Sequence, residues 1–369
     1  QLVAIAEGGT DVGAALAWAP EGRDTEFSYV TEHLSDDAAL QALASLHQAA
    51  TSLPALGLSV PETALAWLEE QTSRLWKLRG PTPGLAAVLS YLGCEQSHTT
   101  ARRVITAAAA AGEANPWPLL EAGFADPRKL PGDTRSPLRG VGRVWARRSD
   151  TDRDVLRMLS GMDLDETQVE VLLEGRSDVP VTVEDLLENP YCASTCTYGQ
   201  REHIPFSTVD RACFPGEGVD WEPLVAAIAN ISEHQDGRRV EALLTDVLEV
   251  AGQSGDTLLP QDEVLAAANA YPLIRSPKLT SMTLQGLELD AAATPLRDPD
   301  AWPVVGVDLA DGRPALKLAR FEVTSQLIRD TIAELRARSR HPELSDPRSL
   351  INAALSKSTA SATTISSGH

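Results

Sequence analysis

Apolar residues recur at helical spacing along most of the chain. In the stretch after Asp36 and Asp37, Leu40, Leu43, Leu46 and Ala50 share one face, and Leu65, Leu68, Leu75 and Trp76 form a second stripe. Gly80-Pro81 stops that second helix, and the two are expected to pack on each other. Shorter helical patterns follow in "TPGLAAVLSYLG" and "SHTTARRVITAAAAAG", the latter with Ser97 as cap and Gly112 as stop. "SDTDRDVLRMLSGM", "DETQVEVLLEG" and "TVEDLLENPY" continue the texture, the last ended by Pro190. "DGRRVEALLTDVLEVAGQSG" and "LPQDEVLAAANAY" are amphipathic, with Pro260 near the first turn of the second. Val305, Val307 and Leu309 alternate on one side of Asp311-Gly312, and Leu316 and Leu318 on the other. That pattern predicts a β-hairpin with Arg313 at its tip, followed by a long helix in "FEVTSQLIRDTIAELRARSR".

These elements predict a mainly α, multi-domain protein with a winged-helix-like module carrying the hairpin. The expected divisions are an N-terminal segment over 1–34, a helical domain over 35–140, and a further helical segment over 141–215, which the resemblance given below makes helix-hairpin-helix-like. A winged-helix-like module with a connector helix then covers 216–340, and a polar tail 341–369. The proline- and arginine-rich "ADPRKLPGDTRSPLRG" suggests a boundary near Gly140. Gln1 in first place and the small polar ending suggest a processed piece.

Composition narrows the class. A chain of 369 residues, 43% hydrophobic, can bury more than one core. It contains no apolar run long enough for a bilayer, so no membrane partner is expected. Four cysteines are too few for a disulfide scaffold, which favours a reducing cytoplasm. The net charge of −20 excludes a generally cationic nucleic-acid coat. Against that background, residues 128–157 carry nine Lys and Arg but only four Asp. This basic stretch is either a solvated or interdomain salt-bridge strip or a patch that meets a polyanion.

Candidate chemistry concentrates in one segment. Cys192, Cys196, His203 and Cys213 give the spacing C-x3-C-x6-H-x9-C, and only the first pair is close. Structural zinc sites pair their ligands in two tight knuckles, so the segment reads as framework with buried thiols. Zinc, or an iron–sulfur cluster that also uses Cys94, is the alternative. "GGTDVG" lacks the ending of a phosphate-binding P-loop, and no hydrolase or metalloprotease motif occurs. His33 and His47 read as capping or packing groups, and Asp163, Asp165 and Glu166 as negative charge at a helix start.

The order "LLENPY", "IPFSTVDRACFP", "RRVEALLTDVLEVAGQSGDTLLPQDEV", "PALKLARFEVTSQLIRDTI" resembles the region ahead of the motor in RecD-like superfamily 1 DNA helicases. These are the large bacterial proteins described as AAA family ATPase or exodeoxyribonuclease V alpha-like. "EFSYVTEHLSDDAAL" and "LWKLRGPTPGLAAVLSYLG" are similar to the helical part before it, so that the likeness spans residues 26–355. The resemblance implies a helix-hairpin-helix-like segment around residues 189–214 and a winged-helix-like segment around 236–320. It also implies an ATP- and Mg-dependent motor beyond "DPRSLINAAL", outside this chain.

The chain departs from that pattern in two places. "HIPF" stands where a phosphate-gripping Gly-x-Gly turn belongs, and "PLIRSPKLTSMTLQGLEL" offers no clear recognition helix. Ser207 and Asp210 instead form an S-x-x-D capping pattern. The resulting expectation is a non-catalytic accessory region that positions DNA, without regard to sequence, for the motor. Its expected phosphate contacts are Lys77, Arg79, Arg147, Arg148, Arg238, Arg239, Arg313 and Lys317. A protein-interaction scaffold in a helicase or nuclease assembly is the rival, and a metal-dependent enzyme the third reading.

Overall fold

The computed structural model describes residues 1–17, 35–176, 179–285 and 303–337. His33, the first part of "EFSYVTEHLSDDAAL", the tail and "DPRSLINAAL" lie outside the described residues. The protein is mainly α, with seventeen α-helices and one three-stranded sheet among the described residues.

After α1 (Leu2–Glu7), which buries nothing, come α2 (Asp36–Ser52) and α3 (Glu62–Arg79). Ser35 caps α2, its Oγ accepting from Ala38 N at 3.3 Å, and Gly80 ends α3 at φ 63°. The two helices pack together through Leu40, Leu68 and Trp76, although Leu46 of the expected stripe is 47% exposed. α4 (Leu85–Tyr91) and α5 (Ser97–Ala110) follow. Ser97 is not the cap expected from the sequence: it is the buried first residue of α5, and Gln96 holds the cap position without a side-chain bond. Gly112 does stop the helix, at φ 83° with Glu113 N donating to Ala108 O at 3.0 Å.

α6 (Trp117–Ala125) leads through the "PRK" turn into α7 (Arg135–Trp145). Gly140 lies inside α7, whose Leu138, Val141 and Trp145 join the core. α8 (Asp150–Ser160), α9 (Glu166–Leu173) and α10 (Val183–Glu188) each open on a reciprocal capping box, Ser149 with Asp152, Asp165 with Gln168, and Thr182 with Asp185. α11 (Cys192–Thr195), α12 (Phe206–Cys213), α13 (Leu224–Ala229) and α14 (Gly237–Gln253) complete the helical body.

The last part alternates helix and strand: β1 (Leu259–Pro260), α15 (Gln261–Ala270), α16 (Ser281–Gln285), β2 (Val304–Asp308), β3 (Pro314–Leu318) and α17 (Ala319–Ala337). The predicted hairpin forms, with Gly306 opposite Leu316 in register, while β1 adds to the far side of β3 in the order β1-β3-β2.

One apolar core runs unbroken from Leu85 to Leu318. α8 lies at its centre, with Val155, Leu156, Met158 and Leu159 at most 1% exposed. Gly84 lets the start of α4 close on the end of α8, where an added Cβ would stand 2.2 Å from Met162 O. Burial of this kind contributes ~1.5–3 kcal/mol per large side chain.

Candidate functional site

The cysteines of the segment pack in or against the core. Cys213 is buried beside Tyr191, and burial pushes its thiol well above the ordinary range. Cys192 and Cys196 lie one helical turn apart, and the neighbouring thiol together with burial raises the Cys192 thiol. His203 lies elsewhere, its ring edge-on to Tyr198 at 4.9 Å. Among the described residues no group of three or more His, Cys, Asp or Glu side chains is placed to hold a metal ion.

The Ser207–Asp210 capping pattern does not form. α12 has Pro205 at its cap position with no side-chain bond, because both polar side chains are used elsewhere. Ser207 Oγ faces Gln41 Oε1 at 3.2 Å. Asp210 accepts from Tyr191 Oη at 3.0 Å and from Arg239 Nε and Nη2 at 2.6 and 3.0 Å. Asp165, by contrast, is a helix-start carboxylate as expected, and Asp163 accepts from Asp37 N at 2.9 Å.

The eight proposed phosphate contacts divide sharply. Arg239 is 0% exposed, and beyond Asp210 its guanidinium donates to His234 O and Arg275 O. Arg79 is likewise interior: Nε meets Asp37 Oδ1 at 2.5 Å and Nη2 reaches Gly161 O, tying α2 and α3 to the end of α8. Lys317, on the inner face of β3, pairs with Glu322. Arg238 is held by Asp236 and the carbonyls of Glu188 and Ala229. None of these four can reach a phosphate without breaking internal bonds. Arg313 is exposed at the hairpin tip but bonded to Asp311 at 2.8 Å. Arg148 lies over the Tyr91 ring at 5.6 Å. Lys77 and Arg147 are exposed with no acceptor among the described residues.

The structure puts a different basic feature in view. On α7, Arg135, Arg139 and Arg143 succeed one another at four-residue spacing, and Arg147 continues the row just beyond the helix end. All four are exposed. Four residues of α-helix advance about 6 Å, and side chains at that spacing share one face. Arg135 leans on Leu130 O and Arg128 O at 3.1 Å, whereas Arg139, Arg143 and Arg147 have no acceptor among the described residues. Ser136 and Gly140 beside them are small and exposed, so the surface next to the row is low. Part of the basic stretch is neutralised, Arg157 by Glu121 and Asp154 and Arg153 by Asp150, while Arg128 and Lys129 before the row are exposed as well. The sequence marks this stretch as basic, but only the helix phase separates row from bridges.

A second feature is a cleft of about 930 Å³ between the start of α2, the loop before α9, and the loop leading into α12. Asp37, Asp163, Asp165, Glu166 and Glu202 line it, together with Arg201 and Arg211. Burial raises the Asp163 carboxyl above the usual range, and the nearby Asp37 charge adds to this. Arg211 was not visible to motif reasoning, since a single arginine in "STVDRACF" carries no spacing signal. Comparison with protein-family models, curated proteins and solved structures finds no match to this chain.

Proposed function

We propose that the chain is a non-catalytic accessory region of a RecD-like, ATP-dependent DNA helicase, holding DNA by its backbone for a motor on another segment. The observation that carries this reading is the exposed, uncompensated arginine row of α7 in a protein of net charge −20. A single-sided cationic strip meets phosphates without reading bases, as helicase accessory regions require. The element order of α14, β1, α15, α16, β2, β3 with strand order β1-β3-β2 supports a winged-helix-like module with Arg313 at the wing tip. α11 and α12 around the 196–205 hairpin support a helix-hairpin-helix-like segment with a structural role, since Pro205 offers no N–H to phosphate. ATP and Mg belong to the motor.

The test is fluorescence anisotropy with labelled single- and double-stranded DNA at about 50 mM salt, where electrostatic attraction is least screened. Arg139→Glu with Arg143→Glu should abolish binding equally for unrelated sequences while leaving the melting temperature unchanged. Full-length protein whose DNA affinity ignores these changes would sink the reading.

A second reading, a scaffold that docks a helicase or nuclease partner, is favoured by α17. Its Leu327, Ile328, Ile332 and Leu335 form one apolar stripe and are 45–66% exposed. Both readings hold together if the row faces DNA while α17 faces the motor.

A further inference from the structure

Arg211 is 6% exposed on α12 and lines the 930 Å³ cleft. Its Nη1 is buried without a hydrogen-bond partner among the described residues. The nearest carboxylates are already engaged, Asp37 with Arg79 and Asp210 with Arg239 and Tyr191. Burial lowers the affinity of this guanidinium for its proton, and Asp37 opposes the effect only in part. A buried guanidinium nitrogen left without an acceptor among the described residues is costly, and an anion brought to the guanidinium offsets the cost.

The walls restrict which anion fits. Five carboxylates, Asp37, Asp163, Asp165, Glu166 and Glu202, line the cleft against Arg201 and Arg211. A phosphate dianion entering there meets net repulsion, whereas a ligand with one carboxylate and one ammonium satisfies both signs. Asp165 and Glu166 are exposed at the start of α9, on the loop side of the same cleft, with room for a cationic end. A planar carboxylate also matches the guanidinium fork bidentately.

We propose that this cleft binds a small zwitterion of the amino-acid type, with its carboxylate on Arg211 and its ammonium toward Asp165 and Glu166. The site is separate from the α7 row and does not depend on the DNA reading.

Thermal denaturation of the full chain against each of the common amino acids at millimolar concentration tests it, with acetate and inorganic phosphate as comparison probes. At least one amino acid should raise the parent's melting temperature by several degrees, and phosphate should not. Arg211→Met should melt at or above the unliganded parent and show no shift with that amino acid. No shift with any amino acid, a shift with phosphate alone, or an equal shift in Arg211→Met would overturn the proposal. Should Arg211→Met fail to fold, Glu166→Gln decides, because Glu166 is exposed and makes no bond the fold needs. Titration calorimetry should then show several-fold weaker binding of the active amino acid and no weakening of acetate; unchanged amino-acid affinity would overturn the assignment.

Discussion

Asp210 shows how much a single carboxylate can organise when it lies inside a helical core. It collects the Tyr191 hydroxyl and both faces of the Arg239 fork, joining α12 to α14, while Arg239 also stacks over Phe214 at 4.2 Å. Asp210→Asn leaves Arg239 buried and uncompensated, and should cost about 3–5 kcal/mol in urea unfolding. Asp210→Leu with Arg239→Met should cost less than that single change, since no charge is stranded. Glu241 of α14 makes the converse case. Burial raises its carboxyl to about 7 from the ordinary 4.5. Below pH 4.5 both native and unfolded chains hold the proton, so the group has no effect there. Between pH 4.5 and about 7 the unfolded chain releases the proton first, and stability falls as pH rises. Glu241→Gln should therefore raise stability by at most about 3 kcal/mol at pH 8, from ~1.4 kcal/mol per unit, and by nothing at pH 4. At this scale the sequence was least legible. Arg79, Arg147, Arg238 and Arg239 look alike as letters, and only their helix phase and partners separate interior clasps from surface cations.

Helix stops follow local chemistry, which is why Gly80 and Gly112 were readable from the chain, whereas Ser97, read as a cap, is the buried first residue of α5. The pattern fails where tertiary demand outweighs it, as at Ser207 and Asp210, whose oxygens are drawn to Gln41 and Arg239. β1 escaped notice because two residues carry no periodicity, and its pairing with Leu316 and Ala315 is set by β3. Two glycines give a controlled comparison of packing and propensity. Gly84→Ala puts a methyl group 2.2 Å from Met162 O, so α4 or α8 must shift; the expected loss is about 1–3 kcal/mol. Gly140, mid-α7, has open space where a Cβ would stand. Gly140→Ala should raise stability by about 0.5–1 kcal/mol, through helix propensity alone. Chemical denaturation of the two variants side by side checks both signs.

Over the whole molecule, the decisive quantity is the contrast between a net charge of −20 and one short cationic row. On the DNA reading, the acidic remainder would disfavour a polyanion elsewhere and the row would fix its orientation of approach. The mainly α class was legible from periodicity, whereas the single core joining Leu85 to Leu318 was not, because a Pro- and Arg-rich stretch reads as a linker until α7 is seen to bury Leu138, Val141 and Trp145. The row also sets a number. If Arg139, Arg143 and Arg147 each neutralise one duplex phosphate, the logarithm of affinity should fall with the logarithm of salt at a slope of about −2.7. Between 50 and 200 mM salt that is a loss of about 40-fold. Replacing any one of the three by Gln should reduce the slope by about 0.9, equally for each position. Arg313→Gln should change it far less, because that guanidinium is already bonded to Asp311 and a released counterion is not waiting there. A slope that stays near −2.7 after all three replacements would place the DNA contact elsewhere on the surface.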